Sequence, residues 1–210
     1  MTIVCISDTH ELHRDVDIPS VDLLIHAGDW SFFSRKLPAI QDFNVWLGEQ
    51  HIRYAKVIVP GNHEAYLDKD PQLRNITDNA TVLIGQRTTV NGLNIWGSPV
   101  TPSHGGAFGM MKAEDRAKHY AAIPKDTHVL ITHGPPYGIL DCLPGSSDHQ
   151  GCKELLAAVV RIKPRLHVFG HVHSGYGVHT TTNTTFVNAA LLGAHGGIAN
   201  APLSFEIPMQ

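Results

Sequence analysis

Ala55-Lys56-Val57-Ile58-Val59-Pro60-Gly61-Asn62-His63-Glu64 is the stretch from which the rest of the chain can be read. An apolar run rich in β-branched residues and closed by Pro-Gly predicts a buried strand, residues 55–59, ending in a tight turn. The turn sets an amide oxygen, an imidazole and a carboxylate side by side at the strand's C-terminal end. In open α/β sheets that end is where ligands bind. One such tetrapeptide is weak evidence by itself. Four other apolar runs, however, end in residues of the same chemical kind.

Upstream, Thr2 to Ser7 reads as a buried strand that ends at Asp8-Thr9-His10. Residues i and i+2 of an extended segment point the same way, so Asp8 and His10 can address one centre. Asp22 to Ala27 is a second strand, ending at Gly28-Asp29, where glycine lets the backbone turn sharply. From Leu37 to Ile52 the positions Leu37, Ile40, Phe43 and Leu47 recur at helical spacing, with Ser34 as a candidate cap and Pro38 in the first turn.

Downstream, residues 65–80 are polar and irregular, and Val82 to Ile84 is a short apolar run. Asn91-Gly92 between two β-like runs predicts a hairpin. Gly97 to Met111 is a long Gly/Pro-rich loop, followed by a helix over Lys112 to Ile123. His128 to Ile131 is a strand ending at Thr132-His133-Gly134; a second long loop covers Pro135 to Gln150. Cys152 to Ile162 is an amphipathic helix stopped by Lys163-Pro164. Leu166 to Phe169 leads into Gly170-His171-Val172-His173. Thr180 to Asn188 and Leu203 to Ile207 read as hairpin strands rather than βα units. With no internal repeat and no composition break, residues 1–210 are expected to form a single α/β domain.

The formal charge of −3 over 210 residues offers no broad basic surface, so an extended nucleic-acid duplex is not an expected partner. Three cysteines with no C-x-x-C spacing are expected as neutral thiols in a reducing compartment. The N-terminus shows no leader pattern and no apolar run is long enough to span a bilayer; a soluble, cytoplasmic protein with no membrane contact is the expectation. Histidine is over-used: 15 residues against 16 for Lys and Arg together.

The strand ends present Asp8 and His10, Asp29, Asn62 and His63, His133, then His171 and His173. Singly, each is explained by turn chemistry or by an ordinary surface histidine. Jointly they are not, because turn chemistry gives no reason for strand after strand to end in a ligand-type residue. Carboxylate, imidazole and amide without thiolate suit Mn, Fe, Zn or Mg-type ions. The candidates are too many for one tetrahedral ion, and two ions sharing a carboxylate fit the count. Two metals roughly 3.5–4 Å apart make a site for in-line displacement at phosphorus.

Asp8-x-His10, Gly28-Asp29, Gly61-Asn62-His63-Glu64, Thr132-His133 and Gly170-His171-x-His173 together resemble the five-motif pattern of the calcineurin-like metallophosphoesterases, in order and over residues 8–173. Thr132-His133-Gly134-Pro135-Pro136, His167-Val168-Phe169-Gly170-His171 and Gly175-Tyr176-Gly177 resemble one branch more narrowly. That branch holds the vertebrate brain-type metallophosphoesterases and is similar to the class III cyclic-nucleotide phosphodiesterases. The resemblance implies a four-layer α/β-β/α sandwich, two mixed sheets flanked by helices, with the metals on one edge. It also implies that Asp8, His10 and His173 hold one divalent ion, that Asn62, His133 and His171 hold the other, and that Asp29 bridges them. A hydroxide shared by the ions would attack phosphorus while His63 stabilises or protonates the departing oxygen. Manganese is expected first, with iron, zinc, magnesium, nickel or cobalt as alternatives.

The expected substrate is a small phosphodiester, cyclic nucleotides included. A phosphomonoesterase, a nuclease and a non-catalytic scaffold on the same fold are the alternatives. Both long loops lack Lys and Arg, which suits a diester monoanion better than a monoester dianion. His13, His104 and His149 lie near motifs or in the loops, and His104 is a candidate phosphate contact. His26 and His179 are read as strand-surface side chains. Glu64 either orients His63 or begins a helix with favourable dipole placement. Nothing in the sequence bears on oligomeric state.

Overall fold

Alternation of apolar side chains decides what each strand packs against. The computed structural model describes residues 1–33, 37–70, 77–102, 106–193 and 195–208. In β1 (Thr2–Ile6) Ile3 and Cys5 enter one buried cluster and Val4 and Ile6 another. The same split recurs in β2 (Val21–His26), where Leu23 and Ile25 oppose Leu24, and in β3 (Ile52–Ile58), where Val57 opposes Ile58. Strands buried on both faces need a layer on each side. One face of this sheet therefore meets a second sheet and the other meets α1 (Leu37–Glu49), which buries Ile40, Phe43, Trp46 and Leu47.

The first sheet runs β11-β1-β2-β3-β4, with β4 at Thr81–Val82 and β11 at Leu203–Glu206. β1 to β4 are parallel, and β11 is antiparallel to β1. The second sheet runs β5-β6-β7-β8-β10-β9. Its strands are β5 (Gln86–Val90), β6 (Leu93–Ser98), β7 (Val129–Thr132), β8 (Leu166–Phe169), β9 (Gly177–Thr180) and β10 (Thr185–Asn188). β6, β7, β8 and β10 are parallel, with antiparallel edges at β5 and β9. On its outer face α3 (Ala113–Ala121) and α4 (Lys153–Ile162) cover Trp96, Leu130, Phe169 and Phe186. Between the sheets lie Ile3, Leu23, Val57, Ile95, Val129, Val168 and Val187. This is the four-layer α/β-β/α sandwich with two mixed sheets that the motifs imply.

Several expectations shift. α1 stops at Glu49, and Ile52 opens β3 instead of closing the helix. The segment read as irregular after Glu64 contains a short helix, α2 (Ala65–Lys69). Gly97 and Ser98 belong to β6, not to the loop. The β9–β10 hairpin is present, but β10 also pairs in parallel with β8, and β11 pairs with β1 from the far end of the chain. The Asn91-Gly92 turn is as read: both residues have positive φ (45° and 82°), the conformation a two-residue hairpin needs. Ser34 and His104 lie outside the described residues. Among the described residues no helix is long and apolar enough to cross a membrane.

Candidate metal centre

β1, β2 and β3 of one sheet and β7 and β8 of the other all end at the same edge of the sandwich. Beyond β1 and β2 the pairing continues without strand geometry: Asp8 N–H donates to Gly28 O (2.8 Å), His10 N–H to Asp29 O (3.0 Å) and Glu11 N–H to Trp30 O (2.9 Å). The two loops that carry Asp8, His10 and Asp29 are thus one hydrogen-bonded ribbon. The sheets are tied at this edge by His133 Nδ1–H to Ala27 O (2.9 Å) and by the His171 N–H to Asp8 Oδ2 (2.9 Å).

All eight sequence-predicted site residues converge here. Asp29 Oδ2 lies 3.3 Å from His133 Nε2, 3.8 Å from His63 Nε2 and 3.9 Å from His10 Nε2. Asp8 Oδ1 lies 3.3 Å from His173 Nε2 and 4.0 Å from His10 Nε2. Asn62 Oδ1 and His171 Nδ1 approach His133 Nε2 at 2.9 and 3.2 Å. Three ligand triplets result, Asp8-His10-His173, His10-Asp29-His63 and Asp29-His133-His171, each with its atoms mutually within 4.8 Å.

Backbone strain accumulates at these residues. Asp8, His10, Asp29 and His171 all have positive φ (54°, 42°, 56° and 67°), a region costly for side chains other than glycine. Two glycines make the close approach possible. A Cβ on Gly61 would overlap the Asp29 carboxylate, and one on Gly170 would overlap the Asp8 carboxylate and Ser7 Oγ. Each precedes a ligand candidate, Asn62 and His171, so the Gly61-Asn62 and Gly170-His171 dipeptides encode room as well as ligands.

Distance decides the protonation of the rings. Burial depresses His10 and His63, whose carboxylate neighbours stand near 3.8–4.0 Å, and drives His171 down to about 4. Burial also opposes charge on His133, yet Asp29 at 3.3 Å, with Asp8 nearby, outweighs it and holds the ring up at about 9. His173 is raised by its Asp8 contact. Burial works against ionised Asp8 and Asp29 too, but the surrounding imidazoles hold both below the usual carboxylate range.

The donor set fits a divalent cation. His133 donates Nδ1–H to Ala27 O, so its Nε2 is the atom that faces Asn62 Oδ1, His171 Nδ1 and Asp29 Oδ2, all potential acceptors. While His133 is protonated its Nε2–H satisfies them; once that proton leaves, four lone pairs face one another and a divalent cation can take its place. Both ring nitrogens of His10 are buried and lack a hydrogen-bond partner, and Nε2 stands between the two carboxylates. For a ring in this position a metal supplies the missing partner.

Glu64 has a role the sequence reading did not reach. Its fully buried carboxylate accepts N–H bonds from Asp29 (2.9 Å), Gly61 (2.7 Å) and Ser31 (2.9 Å) and the Ser31 hydroxyl (2.8 Å). Glu64 does begin a helix, as the residue capping α2, but its side chain makes no capping bond there and instead sets the Asp29 loop. Burial and the Asp29 charge push it up to about 7. His63 is oriented instead by Phe33, whose N–H donates to its Nδ1 (3.2 Å) and whose ring stacks on it at 3.9 Å. With Nδ1 accepting, the neutral ring carries its proton on Nε2, toward Asp29.

Several histidines outside the centre have structural partners. His26 is fully buried, which corrects the surface reading: Nε2 meets Thr9 Oγ1 and Nδ1 accepts the Gly28 N–H, bracing both loops from behind. His13 is buried on Asp42, and His179 is exposed on β9. His149 pairs with buried Asp141, whose other oxygen accepts the Gly138 and Gly151 N–H groups, so that cluster folds its own loop.

Residues 1–175 match the sequence profile described as calcineurin-like phosphoesterase. A UPF0046 protein of Caenorhabditis elegans is 39% identical over 100% of this chain and 76% of its own length. Human metallophosphoesterase domain-containing protein 1 is 35% identical over 98% of this chain and 70% of its own. The crystal structure of TT1561 of Thermus thermophilus superposes with a TM-score of 0.64 over 89% of this chain and 88% of that one. At 17% identity this likeness speaks for the fold alone.

Two outcomes follow from the packing and the charges. Gly61→Ala pushes on the Asp29 carboxylate, so the protein should keep its far-UV circular dichroism but retain less manganese after loading and desalting; unchanged metal content would refute the crowding argument. A cation needs the His133 Nε2 lone pair, which holds a proton below about 9. Metal binding near neutral pH should therefore expel a proton, and affinity should rise with pH until about 9. Calorimetric titrations in two buffers of different ionisation enthalpy should disagree; identical heats would mean no proton leaves.

Proposed function

The chain belongs to the calcineurin-like phosphoesterases, and from that membership we propose that it is a dinuclear metal-dependent phosphodiesterase of small diesters, cyclic nucleotides among them. The observation that carries the reading is the position of Asp29. Its Oδ2 is shared by imidazoles from both sheets, His10 and His63 on one side and His133 on the other. A carboxylate so placed can serve two cations at once. Asp8, His10 and His173 would hold the first, and Asn62, His133 and His171 the second. The family normally binds two divalent ions, and manganese is the pair we assign first, given nitrogen and oxygen donors without thiolate.

Such a pair supplies a deprotonated water near neutral pH and neutralises the phosphoryl oxygens. The remaining work falls to the chain. Asp29, fixed through its backbone by Glu64 and through Oδ1 by the His63 N–H (2.9 Å), keeps the two halves of the ligand set in register. His63, kept neutral by burial with its proton on Nε2, would donate a hydrogen bond from that N–H to the departing alkoxide or phenoxide oxygen and so stabilise its developing charge. The choice of diester over monoester rests on charge. The cleft residues beside the centre include neither Lys nor Arg among the described residues, so nothing beyond the metals would bind the second charge of a monoester dianion.

With manganese loaded, kcat/KM for bis-p-nitrophenyl phosphate should exceed that for p-nitrophenyl phosphate at the same pH. A clear preference for the monoester would overturn the diester assignment and leave the phosphoesterase. Replacing His63 by Ala should lower turnover by about 10²-fold or more with metal content intact. The loss should shrink as the leaving group becomes a weaker base, and an equal loss across leaving groups would remove the hydrogen-bond role.

A further inference from the structure

The metal centre is flanked by exposed apolar side chains, of which only Phe33 has a task described so far. Phe32 and Phe33 are 48% and 44% exposed, and Leu143 is 47% exposed. Phe32 and Leu192 line the hollow that holds His10, Asp29 and His63, about 270 Å³ in volume. A second hollow of about 280 Å³, walled by Leu143, Pro144 and Val172, shares His171 and His173 with the first. The two hollows meet at His171 and His173, with the Phe32 ring in one and Leu143 and Pro144 in the other.

The aromatic end is held in place. Phe32 donates its N–H to Glu11 Oε1 (3.2 Å) and packs edge-on to Phe33 at 5.0 Å. Phe33 takes a left-handed backbone (φ 59°), costly for a bulky residue, and this turns its ring flat onto His63. One face of Phe33 is thereby occupied. Phe32 stands 5.5 Å from His63 and 5.9 Å from His10, with nearly half its surface bare beside the imidazole that faces the leaving oxygen.

We infer that Phe32 is a specificity-determining residue, the platform on which a planar aromatic group of the diester stacks, with the Leu143–Pro144 side taking the rest of the substrate. This rests on the phosphodiesterase reading above. A flat ring matches the exposed face of Phe32, and among the described residues of this hollow no Lys or Arg stands ready for a second phosphate. A nucleobase and an aryl alcohol share this chemistry.

The test compares two cyclic diesters with the same reacting phosphate, adenosine 2′,3′-cyclic phosphate and methyl riboside 2′,3′-cyclic phosphate, with bis-p-nitrophenyl phosphate as the aryl arm. Wild type should favour the base-bearing ester by about tenfold or more in kcat/KM, expressed mainly in KM. Phe32→Ala should lose roughly 5–100-fold on it, the range of one base–aromatic stack, and little on the methyl riboside. Phe32→Trp should restore the preference. Calorimetric binding of adenosine 3′-monophosphate should weaken in parallel, and the thermal midpoint should not move, because the side chain is half exposed. A parallel loss on the aryl diester marks the wall as general for flat rings, and an intact aryl rate marks it as a nucleobase wall; either supports the inference. Hydrolysis of both cyclic esters with no dependence on Phe32 overturns it while the phosphoesterase reading stands. A protein that takes up two metal equivalents and hydrolyses no diester overturns both. A concentration-dependent dimer abolished by Phe32→Ala would give the wall to a second copy, and so also overturn it.

Discussion

Asp8 and Asp29 are buried within reach of one imidazole, and their mutual repulsion is the constraint around which this edge of the sandwich is built. Removing a carboxylate from water costs on the order of several kcal/mol even after relaxation, and two adjacent ones compound it. Among the described residues of the cleft no Lys or Arg offsets the charge. Instead the fold supplies peptide N–H groups, from His171 to Asp8 and from His63 to Asp29, and a shell of imidazoles. That leaves the carboxylates ionised but undersupplied with positive charge, the state a cation site requires. The left-handed backbone at Asp8, Asp29 and His171 and the glycines at 61 and 170 are further costs of the same arrangement. They are borne by the continuous apolar layer between the sheets.

Within that shell a few tenths of an ångström separate two behaviours. His133 and His173, at 3.3 Å from a carboxylate, gain protons more readily than a free imidazole, whereas His10 and His63, nearer 4 Å, lose them. One environment thus holds rings that compensate charge and neutral rings that keep a free lone pair and an N–H donor. His63 is the one of these whose proton is directed by a backbone donor, and that donor sits on the segment carrying the exposed phenylalanines.

The strand ends were legible because each is announced locally: an apolar run closes, and a ligand-type residue follows a glycine or a turn. The Asn91-Gly92 hairpin was legible for the same reason. What stayed hidden is non-local. Leu203–Glu206 alternates like many strands, and nothing in it names β1, at the opposite end of the chain, as its partner. Ile52 continues the apolar spacing of α1, so only sheet pairing with Val21 reveals that it is a strand residue. His26 looked like a strand-surface histidine because its period-2 position is the face that α1 covers. Glu64 was seen as a neighbour of His63, although its partners Asp29 and Ser31 come from a different strand end. Phe32 and Phe33 carried no periodicity to set them apart from an ordinary connection into α1.

The hydrogen bond from His133 to Ala27 joins side chain and backbone across 106 positions of sequence. Its consequence is temporal. Asp8, Asp29 and Asn62 leave the ribosome well before His133, His171 and His173, and an N-terminal sheet formed early has its acidic edge but lacks the imidazoles of the other half. A chain stopped at that point would offer Asp8, His10, Asp29, Asn62 and His63 without the ligands of the second sheet. Tight and selective capture of an ion must wait until the second sheet has docked and closed the apolar layer. An ion that needed ligands from both halves would then report completed folding instead of seeding it, and a chain arrested between the halves would hold such an ion less tightly.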